Sequence, residues 1–479
     1  MENILINYCN GSFIIVLGFR DSSEKERRIM ANNNGEKKGS FIGLVPLICF
    51  LVVYFIMGIG TGDFGNFPLM IGMFLAMAIA LAIKKPGGDN LTFSEKVDLF
   101  CEGGGDNTLI LMIIIYMLAG AFYGVAGAMG ATTSATNLML SIIPVKFVLP
   151  GLFLIGCVIS FSMGTSMGTV TALAPIAIEL APQIDVSLPV ICGAVVGGAM
   201  FGDNLSFISD TTIAATTTQG CQMKDKFRAN FLMVLPAVIV TCIIFMFIHV
   251  NPQAVNAGGE WHFVNLLPYI CIIALSLLGV HVVIAMGASV ILGALIGIFK
   301  GDFGFVESFG IIHEGMTWME DMAVIAIFVG GVIALMKYYG GIDWLIDKLG
   351  KRAKTRVGGE LSIALLATLV DLATTNNTMS IIACGPIARE LSEKYDIPPA
   401  RTASLLDLFT SAPQGITPYA GQLLAIGGLA SISPMSVVPF VFYSWLMFVF
   451  GIIFIIIGFP KTKDTAGTAK KEEKKDDVA

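Results

Sequence analysis

Apolar runs long enough to cross a bilayer core, which takes about 20 residues, alternate with short polar interruptions along most of this chain. The pattern predicts spans near 40–60, 65–83, 107–129, 187–218 and 227–249, then near 264–281, 282–300, 321–340, 401–432 and 437–458. One run is broken from within. Between Leu188 and Gly220 it carries Asp203, Asn204, Ser206, Ser209, Asp210, Thr211 and Thr212. A charge at bilayer depth costs at least about 2.5 kcal/mol, so ionisable residues there usually mark an ion or substrate path. Gly202 and this density of polar groups predict a broken helix, tolerated in membranes only where it lines a cavity or is buried in protein. The stretches 147–181 and 358–392 are each too long for one span and polar in the middle. They read as re-entrant hairpins with tips near the midplane; rereading both as paired tilted spans would leave their relation unchanged.

These patterns repeat at an offset of 211 residues. APIAIEL at 174–180 matches GPIAREL at 385–391, and the same shift lays Glu179 on Glu390, Asp185 on Asp396, Gly120 on Gly331 and Gly130 on Gly341. It also sets the hairpin tip GTSMGT (164–169) over TNNTMS (375–380), and GDNLSFISDT (202–211) over PQGITPYAGQ (413–422). Polar, Gly/Pro-broken segments in corresponding places of two halves are the best sequence pointer to a transporter binding site. Lys and Arg placement sets orientation. Lys84/Lys85, Lys224/Lys226/Arg228, the Lys348–Arg356 cluster and Lys461/Lys463 fall on one side, and the 250–263 loop, without Lys or Arg, on the other. Lys146 and Lys300 dissent. The expectation is an all-α polytopic membrane protein of two inverted repeats, 40–250 and 264–460. Each has about five spans plus a re-entrant hairpin, with broken helices at the midplane.

Composition agrees. Of 479 residues, 55% are hydrophobic and 13% charged, with a mean hydropathy of +0.80; soluble domains run near 25% charged. The net charge of −6 says little beside the placement of the basic residues. The nine cysteines lie mostly inside apolar runs without metal-ligand spacing and read as small core residues. No basic stripe supports nucleic-acid binding. Residues 461–479 read as a disordered, mixed-charge tail, cytoplasmic on the Lys/Arg rule. Ile4–Phe19 is too short and too interrupted for a span and lacks a signal-peptide pattern. The expectation for 1–39 is a dispensable extension, with the natural start of the chain at Met30.

Four polar clusters carry the candidate chemistry. At the hairpin tips stand Thr165, Ser166 and Thr169, and Thr375, Asn376, Asn377 and Thr378. Hydroxyls, amides and freed carbonyls offer hard oxygen ligands there, while half-helix N-termini favour anions and C-terminal carbonyls favour cations. Packing by small residues explains Gly193/Gly197 and Gly293/Gly297, but not Asn376-Asn377 beside Thr374 and Thr375. In the first break, Asp203 and Asp210 with Asn204, Ser206 and Thr211 are expected to surround one ion. Protons compete with a cation for a desolvated carboxylate, so such a site couples two fluxes. Asp371 and Asp407 are the second-half acids. In the second break Gln414, Thr417, Tyr419 and Gln422 replace the Asp pair with neutral groups, so the half-sites are not equivalent. Glu179 and Glu390, near the outer ends of hairpin legs, fit interfacial capping. Gly164-Thr165-Ser166-Met167-Gly168 matches the GxSxG pattern of hydrolases, but that pattern needs a strand–turn–helix context and a His partner. All four histidines lie elsewhere, and no nucleophile–base pair supports an enzyme.

At FGDNLSFISDTT (201–212) the chain resembles the NhaC-type sodium/proton antiporter family, and the resemblance extends over most of residues 40–460. It implies a multi-pass transporter of the bacterial inner membrane exchanging sodium for protons, with no cofactor and no metal beyond transported sodium. The paired polar tips are more distantly similar to those of divalent-anion/sodium symporters, implying a rigid scaffold and a mobile transport domain. Proteins similar to NhaC also include organic-acid exchangers and amino-acid carriers. A sodium- or proton-coupled carrier of a small carboxylate or amino acid is therefore the alternative. The partners implied are lipid, sodium and protons; a homodimer is left open.

Overall fold

The computed structural model describes residues 6–9, 12–15, 39–61, 66–85, 90–251, 259–349 and 355–460. The expectations for the tail, for the middle of the 250–263 loop and for most of the first 38 residues lie outside these. A two-stranded antiparallel ribbon pairs Ile6–Cys9 with Ser12–Ile15; the rest of the described chain is helical.

The first half runs α1 (Val45–Thr61), α2 (Leu69–Ala82), α3 (Phe93–Gly104), α4 (Asn107–Ala128), α5 (Ala131–Ile142), α6 (Val148–Met163), α7 (Ser166–Gln183), α8 (Leu188–Leu205), α9 (Asp210–Gln219) and α10 (Met223–Phe247). The second half runs α11 (Phe263–Leu277), α12 (Val282–Lys300), α13 (Phe305–Thr317), α14 (Glu320–Tyr338), α15 (Gly341–Leu349), α16 (Arg356–Thr374), α17 (Asn377–Lys394), α18 (Pro399–Gln414), α19 (Gly421–Ala430), α20 (Pro434–Val437) and α21 (Phe442–Ile457). Among the described residues, eight helices are long and apolar enough to cross a membrane, or nine if the bent pair 421–430 and 434–440 counts as one span. Their outer faces carry large exposed side chains such as Ile56, Val158, Phe247, Ile291 and Phe299. Bare apolar surface on this scale suits lipid rather than water.

Both runs expected to break do so. α8 stops at Leu205 and α9 starts at Asp210; α18 stops at Gln414 and α19 starts at Gly421. Each hairpin turns through one left-handed residue, Gly164 at φ 67° and Thr375 at φ 50°. The next residue caps the following helix, Thr165 accepting from Gly168 N and Asn376 from Met379 N. Left-handed Asp185 and Asp396, and Gly220 and Ser431, obey the same offset of 211.

Three sequence expectations need correction. Besides spans and hairpins the repeats hold four short helices that the apolar runs do not announce, α3, α5, α13 and α15, each too short to count among the candidate spans. Their apolar stripes are short, and they are interrupted by charged residues in α3, α13 and α15 and by Thr and Ser in α5, so no continuous hydrophobic run announces them. The hairpin legs are long, 16 residues in α6, 18 in α7 and α17, and 19 in α16. At 1.5 Å per residue they reach about 24–28 Å, and Val145–Met163 and Arg356–Thr374 are each sufficient to cross a membrane. The run at 437–458 is also not one helix. A short turn over 434–440 makes an angle of 103° with α19 before α21 begins.

Contacts between the halves are reciprocal, as a two-fold relation requires. α3 packs on α14 and α13 on α4; α9 packs on α17 and α19 on α7. The first pair of contacts depends on bare backbone. A Cβ on Gly120 would stand 2.0 Å from the Gly315 carbonyl oxygen, and one on Gly103 would stand 2.6 Å from that of Gly330. Gly193 likewise lies against the Phe440 backbone, the packing role read from sequence. The hairpins and broken helices (α6–α9 and α16–α19) form the most deeply buried layer of the molecule.

Candidate functional site

Four buried carboxylates occupy that layer: Asp203 near the break of α8, Asp371 and Glu360 in the hairpin leg α16, and Asp407 within α18; Glu360 is ion-paired with buried Arg401. Asp203, in the last turn of α8, accepts from Ser166 Oγ at 2.9 Å and Ser209 Oγ at 3.1 Å. Ser209 is also linked to Thr211 at 2.9 Å, and Thr211 donates to the Asp203 carbonyl. Ser166 accepts in turn from Gln422 Nε2 at 2.9 Å, and Gln414 Nε2 reaches Gln422 Oε1 at 3.4 Å. One network therefore joins the first hairpin tip, the first break and the second break. The backbone explains the convergence: α7 and α19 pack together, and Ser166 and Gln422 each stand in the first turn of their helix.

Asp371 is fully enclosed in α16, yet neither carboxylate oxygen accepts a hydrogen bond among the described residues. Ser380, which lies beside it, is committed to Thr374 Oγ1 and the Asn376 carbonyl. Asn377 Oδ1 and Gln414 Oε1 are likewise buried without a donor. Asp371 and Asp203 interact electrostatically, as do Asp203 and Asp407. Tyr419 stands next to Asp371 and donates to the Leu372 carbonyl at 2.9 Å.

Asp407 differs. It forms a buried ion pair with Lys226 and accepts from Thr212 Oγ1 at 3.4 Å and Ser411 Oγ at 3.3 Å. Lys226 also donates to the Asn204 carbonyl at 2.7 Å and Thr212 Oγ1 at 2.9 Å. Asn230 donates to the Asn204 carbonyl and Oδ1 at 2.9 and 2.7 Å, and accepts from Ser404.

The structure brings Asp203, Ser166, Thr211, Gln414 and Gln422 into one network. Asn204, Ser206, Asp371, Asn377, Asp407 and Tyr419 are buried in the same layer. Thr169 and Thr417 are buried and donate to local backbone, Thr169 also reaching Met163 Sδ, and Thr375 is buried at its tip. Thr165, Asn376 and Thr378 are partly exposed at the tips. Asp210 is exposed in the first turn of α9 and interacts electrostatically with buried Asp203, so only one of the two acids expected around one ion lies inside the enclosed layer. The charge of Asp210 suits the positive end of α9. Glu390 is exposed, and Glu179, half-buried, accepts from Thr133 at 3.3 Å.

Lys226 was misassigned from sequence, grouped with surface Lys224 and Arg228. Its signal was helical spacing: Lys226, Asn230, Met233 and Ala237 form one buried stripe of α10. The other signal was an intramembrane Asp407 in need of a counter-charge.

Comparison with known proteins fits this geometry. The model of the Na+/H+ antiporter family matches twice, over residues 41–250 and 249–459. A malate-2H(+)/Na(+)-lactate antiporter of Bacillus subtilis is 22% identical, the alignment covering 87% of this chain and 94% of the relative. The arginine/ornithine antiporter ArcD of Halobacterium salinarum is 22% identical over 91% and 95% of the two chains. The Na(+)/H(+) antiporter NhaC of Bacillus subtilis is 25% identical over 73% and 84%.

Proposed function

Since the chain belongs to the Na+/H+ antiporter family, we propose that it exchanges sodium for protons across the cell membrane at two buried carboxylates, Asp203 and Asp371. Asp371 carries the reading. A buried carboxylate whose oxygens accept no hydrogen bond is very costly as a bare ion, so it must hold a proton or a cation. Asp203 lies within electrostatic reach, and two bare like charges in one enclosed site oppose each other's ionisation. Sodium, a hard cation, is matched by carboxylate, amide and hydroxyl oxygens, and Asn377 Oδ1 and Gln414 Oε1 are unpaired acceptors in the same layer. A proton arriving on one face neutralises the carboxylates and discharges sodium. Sodium arriving on the other face displaces the protons.

The two halves are inverted repeats in this reading, because each contributes an odd number of crossings, and the buried layer moves against the outer helices. Asp203→Asn and Asp371→Asn should each lower sodium-driven proton flux in proteoliposomes by more than about tenfold, equivalent to roughly 1.4 kcal/mol. Asp210→Asn should keep the parent rate. Parent-level exchange in both buried variants would refute the assignment.

A second reading has its own support. Relatives named as organic-ion antiporters match nearly end to end, and two helix N-termini meet where Ser166 and Gln422 bond, a setting that attracts carboxylates. Sodium-driven uptake of a hydroxy acid or amino acid, in liposomes showing no sodium/proton exchange without it, would establish that reading instead.

A further inference from the structure

We propose that Lys226 is a tethered cation that fills an ion position at Asp407, excluding sodium from it and fixing how many cations the buried layer binds. The ammonium group has three donors and finds three acceptors: Asp407 Oδ2, Thr212 Oγ1 and the Asn204 carbonyl. A carboxylate, a hydroxyl and a carbonyl from the C-terminal turn of α8 make the ligand set that broken membrane helices offer to transported cations. Here a side chain supplies the charge. Lys226 and Asp407 are both 0% exposed, and both Asp407 oxygens accept further bonds, Oδ2 from Thr212 and Oδ1 from Ser411. Asp371, by contrast, lacks any such partner among the described residues.

The pair is not a packing feature shared by the two halves. The offset of 211 carries Lys226 onto Val437 and Asp407 onto Val196, both buried and apolar, so the fold closes at the equivalent place without an ion pair. The charge pair is specific to one side of a pseudo-symmetric molecule and borders the network of Asp203, with which Asp407 interacts electrostatically. Removing only the lysine leaves a carboxylate in an oxygen-lined position, open to a mobile cation. Removing both charges leaves nothing for that cation to neutralise.

The inference rests on the transporter reading above but is tested apart from it. Equilibrium binding of radiolabelled sodium to the purified full-length protein should show a gain of one equivalent per chain in Lys226→Met over the parent. The double variant Lys226→Met/Asp407→Leu should lose that gain. Lys226→Met/Asp203→Asn should still bind more sodium than Asp203→Asn alone, so a failure of the Asp203 assignment leaves this comparison readable. Equal binding by Lys226→Met and the parent overturns the proposal, as does a gain that survives Asp407→Leu. Should Lys226→Met prove unstable, melting in sodium against choline carries the test. Sodium must raise its Tm more than it raises the parent's, and equal shifts overturn the proposal.

Discussion

The two halves repeat the hairpin and the broken helix but place their acids differently. At the end of the first half of a broken helix, one repeat has Asp203 and the other Gln414; in the first leg of a hairpin, one has Ser160 and the other Asp371. The turn residues at the hairpin tips and the bounds of α7 with α17 and of α9 with α19 coincide at the offset of 211. Each half therefore delivers one acid to this pair, but from a different element. The repeat supplies two equivalent scaffolds, and the binding chemistry comes from breaking the equivalence. Hydrogen bonding is asymmetric too: Asp203 is held by Ser166 and Ser209, whereas Asp371, beside Ser380, accepts from no donor within hydrogen-bond distance among the described residues.

The largest expected effect tests whether the halves are inverted at all. Single cysteines at Glu260 and Thr355, both exposed, in a cysteine-free background should react with a membrane-impermeant maleimide from opposite sides. Reaction of both from one side would end the inverted comparison. A smaller effect sharpens the exchange of acids. Asp203→Gln should abolish sodium-dependent proton movement, and Asp203→Gln/Gln414→Asp should recover a measurable part of it. The reason is that position 414 reaches the same Ser166 through Gln422. No recovery above the single variant would mean that the two positions are not interchangeable. The smallest effect concerns the tips. Thr375 takes the left-handed conformation that Gly164 takes in the other half, at a cost of about 1 kcal/mol or more for a non-glycine residue. Thr375→Gly should therefore raise the melting temperature slightly, by no more than about 1 kcal/mol of stability once the added freedom of the unfolded chain is counted. A fall would show that the Thr375 side chain contributes more than the strain costs.

Sequence alone determined the repeat, the two broken helices, the two hairpins and the candidate acids, since each depends on local composition. Long apolar runs must be helical in lipid because every backbone group needs an internal partner, and polar residues within such runs are too costly to be incidental. The amphipathic helices α3, α5, α13 and α15 escaped because short stripes give no comparable signal. Which acids meet was decided only in three dimensions. Asp203 and Asp210 are seven positions apart, yet the break between α8 and α9 turns one inward and leaves the other exposed. Asp371, 168 positions from Asp203 in the chain, comes within electrostatic reach of it because the hairpins and broken helices of both halves pack into one layer. Lys226 could be counted as surface charge until the packing of α10 on α18 set its amine against Asp407. A charge's burial depends on what lies opposite it, and that partner is supplied by a segment far along the chain.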